Sequence, residues 1–200
     1  MKRIFIALMA AIVLTSLVLV CAGAAQEKDL ASKFLRFHVL ANSDSDEDQA
    51  LKLKVRDAVL DKVQLITENT SSFEEAKAMV FAELSAIETA AKQCLAENGS
   101  TFTVSVNLEQ CDFPTKNYGL FALPAGSYEA LRVKIGEAAG QNWWCVLFPP
   151  LCSTATSEEF VQAAAVAGVS EEDIALLEGK RVFKFKLAEL FAYLKELIRA

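Results

Sequence analysis

The sequence predicts one α+β domain, with a mixed or antiparallel sheet of about five strands packed against several helices, set behind a separate N-terminal segment. Three observations predict it. Short runs in which apolar and polar residues alternate are interleaved with longer runs whose apolar positions recur every three or four residues, and no internal repeat links them. The 200 residues are 53% hydrophobic and 23% charged, which suffices for a real core and excludes disorder as a reading of the whole chain. Residues 1–24 differ in composition from everything after them.

That first segment carries Lys2 and Arg3, then an uncharged and mostly apolar run from Ile4 to Val20, then the small residues Ala22, Gly23, Ala24 and Ala25. This is the order of a secretory signal peptide, with cleavage expected after Ala24. The apolar run, about 17 residues, also reaches the lower limit for crossing a bilayer, so an uncleaved anchor is the alternative. A lipoprotein reading of Cys21 is disfavoured by the bulk of Val20 before it. The body, residues 28–200, is expected outside the cytoplasm, in contact with membrane only through this segment.

Within the body, Phe34 to Leu40 reads as a strand, with Leu35, Phe37 and Val39 as its core face and Phe34, Arg36, His38 and Leu40 opposite. Capping residues from Asn42 to Asp46 precede a helix over about Asp46 to Ile66, whose acidic start suits the positive end of the helix dipole. Ser71 and Ser72 open a second helix that runs on until Gly99. Phe102, Val104 and Val106 alternate with polar residues as a half-buried strand, followed by a loop with Pro114 and Gly119. After the Leu123-Pro124-Ala125-Gly126 turn, Tyr128 to Ile135 and Trp143 to Phe148 read as adjacent strands joined by a short linker, Gly136 to Gly140. Ser157 opens a helix to about Ala167 and Ser170 another to Glu178. Val182 to Lys186 reads as a last strand, and the stripe Leu187, Leu190, Phe191, Leu194, Leu197, Ile198 as a closing amphipathic helix.

Composition narrows the function. A net charge of −6, from 20 Lys and Arg against 26 Asp and Glu, disfavours a nucleic-acid partner, which needs a basic surface to release counterions. The chain has one histidine, His38, which lies on a strand face with no nucleophile motif beside it and reads as structural. Asn42, Asp44, Asp46 and Asp48 imitate the oxygen spacing of a calcium loop, but Glu47 stands where that loop wants glycine and Leu53 where it wants a closing acid. An acidic helix start is the better reading. No metal or cofactor is expected.

Four cysteines follow Cys21, and four allow three pairings. Cys145 and Cys152 flank Phe148-Pro149-Pro150, whose prolines turn the chain and can bring the sulfurs together. That leaves Cys94 with Cys111 by default; four separate buried thiols is the alternative. Trp143 and Trp144 are adjacent, so on a strand they face opposite sides of the sheet. Either the strand is central and buried on both faces, or one ring is exposed as an anchor for a protein partner. The anchor reading places a partner surface on Gln141, Asn142, Trp143, Trp144, Phe148, Pro149 and Pro150, with the neighbouring linker.

Four stretches carry a more specific signal: Arg36-Phe37-His38-Val39-Leu40-Ala41-Asn42-Ser43-Asp44-Ser45, Asp48-Gln49-Ala50-Leu51-Lys52-Leu53-Lys54-Val55-Arg56-Asp57, Leu123-Pro124-Ala125-Gly126, and Asn142-Trp143-Trp144-Cys145-Val146-Leu147-Phe148-Pro149-Pro150-Leu151-Cys152. Over about Phe34 to Cys152 the chain resembles the stage II sporulation protein R family of endospore-forming bacteria. It departs from that pattern at Asp46, where proline is usual, at His38, where arginine is common, and at Ala138, where glycine is expected. The resemblance implies a non-enzymatic sporulation signal, made in the forespore and secreted across its membrane into the space before the mother cell. There it activates a membrane-embedded aspartic protease that processes a mother-cell sigma-factor precursor. The rival from another class is an exported cell-wall hydrolase acting through carboxylates such as Asp44, Asp46 or Glu109.

Overall fold

Alternation from position 35 to 40 builds the strand on which the sheet is centred, β1 (Leu35–Leu40). The computed structural model describes residues 29–152 and 156–179, with positions 9 and 14–16 of the N-terminal segment. Ser45 caps α1 (Asp46–Thr67) by accepting from the Asp48 amide, and Ser72 caps α2 (Phe73–Ala82) in the same way through Glu75. A turn at Glu83 separates α2 from α3 (Leu84–Glu97), where one continuous helix was expected. The stripe Phe73, Ala76, Val80 continues as Ile87, Ala91 and Cys94 in unbroken helical register, so periodicity carries no mark of the break.

The next strand, β2 (Val104–Phe113), leads to a two-stranded hairpin, β3 (Lys116–Asn117) with β4 (Ala122–Leu123), where the sequence reads only as a loop. Then come β5 (Gly126–Ile135), β6 (Asn142–Phe148), α4 (Ser157–Val166) and α5 (Glu171–Leu177). A reciprocal capping box between Thr156 and Glu159 starts α4. The predicted strand at Val182 to Lys186, the predicted closing helix and nearly all of residues 1–24, the predicted signal segment, lie outside the described residues. Among those described, no helix is long and apolar enough to cross a membrane.

The main sheet is mixed, in the order β2-β5-β1-β6. β1 pairs in parallel with β5 and antiparallel with β6, while β2 and β5 are antiparallel. At β1 both faces of the sheet are covered, which corrects the one-sided reading of that strand: all six of its residues are buried. Leu35, Phe37 and Val39 pack beneath α1, α2 and α3 with Val55, Val59, Val80 and Ile87. Phe34 belongs to a second core with Phe113, Phe121, Tyr128, Phe160 and Leu177, closed by the hairpin, α4 and α5. Among the described residues β6 is an edge strand and not a central one, although both of its faces are covered near Val146 and Leu147.

Candidate functional site

The most distinctive stretches of the sequence meet where β6 begins. The β5–β6 linker is clamped onto the loop that follows β1. Gly140 donates to the Ala41 carbonyl at 3.0 Å and Ala139 to the Asn42 carbonyl at 3.2 Å. The Asn42 side-chain oxygen accepts from the Glu137 amide at 3.0 Å, and Asp44 accepts from the Gln141 amide at 2.7 Å. Behind them Lys52, buried on α1, donates to the Gln141 carbonyl at 3.0 Å and to Gln49 Oε1 at 2.6 Å. Burial lowers the Lys52 pKa, and Asp44 opposes that shift. Asp48 receives Asn42 Nδ2 and Ser43 Oγ, whose hydrogen bonds hold its carboxyl below the usual range. The acid-rich loop is thus a helix start and a clamp, with the Asn42 and Asp44 side-chain oxygens turned to backbone amides of the linker.

The linker also explains the departure at Ala138. This residue sits at φ 53°, the one positive-φ residue other than glycine among those described. Left-handed backbone costs a residue with a Cβ about 1–2 kcal/mol, part of which glycine returns as chain entropy in the unfolded state. Ala138→Gly is expected to stabilise the protein by roughly 0.5–1 kcal/mol, read as a raised melting temperature. An unchanged or lower melting temperature would contradict that account.

From this clamp β6 presents its first residues. Gln141 and Asn142 are exposed, whereas Trp143 and Trp144 are each half-buried, on opposite faces. Trp143 meets Phe37 edge-on at 5.7 Å and lies under the Arg56 guanidinium at 4.9 Å. Trp144 stacks on the His38 ring at 3.8 Å, meets Phe113 at 4.7 Å and has Lys116 Nζ 5.6 Å from its centroid. At its far end β6 turns inward. Phe148 and Pro149 are buried, Pro150 is exposed, and Cys145 is bridged to Cys152 with Cα atoms 5.6 Å apart.

The second pairing does not form: Cys94 and Cys111 are free thiols. Cys94 packs in the core beneath the helices and Cys111 against the core on the opposite face, so the sheet lies between them. Burial pushes both thiols up.

His38 is 4% exposed. Its Nε2 lies 2.7 Å from Asn142 Oδ1, which makes Nε2 the protonated nitrogen, and Nδ1 is buried without a partner. Burial pushes its pKa down to about 4 against the Asn142 bond, with Arg132 and Lys134 adding to the shift. The unfolded state therefore takes up a proton near pH 6.5 that the folded state refuses. Stability from this residue is complete above pH 6.5 and is lost as pH falls from there to about 4, by about 3 kcal/mol. Urea unfolding of the wild type and His38→Gln across that window should diverge toward acid, with the wild type losing more.

Two features escaped the sequence reading. Arg36 is 0% exposed and held among rings, its guanidinium 4.2 Å from the Phe113 centroid and 4.8 Å from that of Tyr128. It donates to the Cys145 carbonyl at 3.2 Å and to Tyr118 Oη at 2.7 Å, and burial lowers its pKa. Lys52 is the other. Arg36 is a lone cation in an apolar strand and Lys52 one of several charges along α1, and a charge in either setting reads as solvent-facing. Of the carboxylates in the hydrolase reading, Glu109 pairs with Arg132 at 3.0 Å and Lys134 at 3.4 Å. Burial pushes its carboxyl up, but these cations outweigh it and hold the group below its usual range. Among the described residues no group of three or more His, Cys, Asp or Glu is arranged to hold a metal ion.

Comparison with known proteins agrees with this arrangement of motifs. The profile of the family described as Stage II sporulation protein R (spore_II_R) matches residues 31–158, from before β1 into α4. The chain is 44% identical over 118 residues to Stage II sporulation protein R of Bacillus subtilis (strain 168), an alignment covering 59% of this chain and 53% of that protein. The chain thus spans about half the length of this curated relative. No solved structure matches. With the family profile covering the sheet, the clamp and the bridged turn, the chain belongs to the stage II sporulation protein R family.

Proposed function

We propose that this protein is a secreted, non-enzymatic sporulation signal that activates a membrane-embedded aspartic protease, which then processes a mother-cell sigma-factor precursor. Family membership across residues 31–158 is the observation that carries the reading. The site chemistry supports it. The lone imidazole is covered on one face by Trp144, tied at Nε2 to Asn142 and neutral at physiological pH, so it is poorly placed to take a substrate proton. Glu109 is held ionised by two cations, which suits an ion pair and not a general acid. A preformed aromatic edge, braced by Lys52 and Asp44, suits recognition, because a rigid anchor loses little entropy on docking.

Reconstitution tests the reading. Purified protein is added to vesicles that carry the protease on the accessible side, with precursor cleavage as readout. Cleavage that rises with added protein is expected; cleavage unchanged by it would refute the reading. His38→Ala should still activate, although it melts lower, and complete loss of activation by a stably folded His38→Ala would restore a catalytic role. Trp144→Ala should lose most activation at a temperature where it remains folded, and full activation would remove the ring from the partner surface.

A further inference from the structure

Beyond the aromatic edge, the surface carries an apolar groove of about 660 Å³ between α1, α4 and the end of β6. Leu147, Phe148 and Ala163 line it. Its walls carry two of the most exposed large apolar side chains among the described residues, Leu65 at 69% and Val166 at 60%. Exposed leucine and valine gathered around one groove mark an interaction site more than scattered single residues would. The rim is acidic. Asp61 on α1 and Glu68 at its C-cap, seven residues on, lie one above the other, and neither belongs to an ion pair among the described residues. They stand about 10 Å apart along the helix axis, two helical turns.

We propose that this groove docks a short amphipathic segment of a partner protein, helical over about two turns, with apolar anchors on one side and Lys or Arg flanking them. The apolar floor supplies the contact area and the two rim carboxylates select cations, the groove-and-helix mode of peptide recognition. The charge of the rim favours this occupant over others. A second copy of the chain would bring its own net charge of −6 to an acidic rim, and an anionic membrane surface would be repelled by the same carboxylates. The Cys145–Cys152 bridge spans the turn that carries Pro150 into the lining, so one wall is covalently fixed. The inference rests on the signalling reading for the partner's role, but the docking chemistry is testable without it.

The probe is a labelled helical peptide of about 12 residues with leucines at i, i+3, i+4 and i+7 and lysines between them, titrated with the purified full chain and read by fluorescence anisotropy. A control peptide keeps the leucines and replaces lysine by glutamate. Saturable binding of the basic peptide is expected, weakened at least about tenfold by Leu65→Ser with Val166→Ser, and weakened with a shallower salt dependence by Asp61→Asn with Glu68→Gln. These side chains are exposed, so the variants should keep the wild-type melting temperature. Equal binding of the acidic peptide, wild-type affinity in the Leu65→Ser, Val166→Ser variant, or no binding at all would overturn the proposal. The last outcome includes the case in which residues 180–200 of this chain occupy the groove. A dimer in sedimentation that Leu65→Ser dissociates would overturn it in favour of self-association. In the vesicle assay, failure of the wild type to activate counts against the signalling reading alone. A wild type that activates beside a peptide-blind variant that activates equally well counts against the groove as the partner's site.

Discussion

Gly140→Ala is expected to destabilise the protein by at least about 3 kcal/mol, among the largest losses from adding one methyl group to this fold. A Cβ there would stand 2.1 Å from the Ser43 carbonyl oxygen and 2.5 Å from its carbon. Both are main-chain atoms, so no rotamer change relieves the clash. The loop and linker must separate, which breaks the hydrogen bonds that the Gly140 and Ala139 amides donate to the Ala41 and Asn42 carbonyls and uncouples Asp44 from Gln141. Urea unfolding measures the effect, with Gly126→Ala as control, because a Cβ at Gly126 meets only Tyr128 at 3.5 Å. If both substitutions cost less than about 1 kcal/mol, the clamp is not the rigid unit described.

Arg36→Ala is the second large effect, with an expected loss of about 3–5 kcal/mol. It empties the largest fully buried side-chain volume and strips the Cys145 carbonyl and the Tyr118 hydroxyl of their donor. Arg36→Met separates volume from charge. The guanidinium sits among Phe113, Tyr118 and Tyr128 and, among the described residues, contacts no carboxylate and leaves Nη1 without a hydrogen-bond partner, so its desolvation is only partly offset. Methionine refills most of the space without that cost and should recover at least half of the loss seen with alanine. Equal losses for the two variants would show that the hydrogen bonds, and not the volume, hold this core.

What the sequence revealed followed the strength of local signals. The capped helix from Asp46, the alternating strand into Ile135 and the Trp143–Phe148 strand were all legible, because alternation, caps and glycine turns are local properties. The bridged turn was legible for the same reason, with the two prolines between Cys145 and Cys152. Strand order was not. Nothing near Trp143 distinguishes an edge strand covered on both faces from a central one, since the two share the same apolar run. The break at Glu83 was hidden because the buried stripe crosses it in register. The site showed the same division: the tryptophans and prolines drew notice as residue types, while the clamp is a set of contacts between positions 41–52 and 137–141 that no local pattern links.

The order of strands in the chain has a consequence for how the molecule comes into being. The strand made first, β1, finds both of its neighbours only in β5 and β6, beyond residue 125. At about 5–20 residues per second, roughly 5–20 s of synthesis separate Leu40 from Ile135, and for that interval β1 lacks a complete partner strand. A chain delivered N-terminus first, from a ribosome or through a pore, therefore cannot complete its sheet until most of its length has emerged.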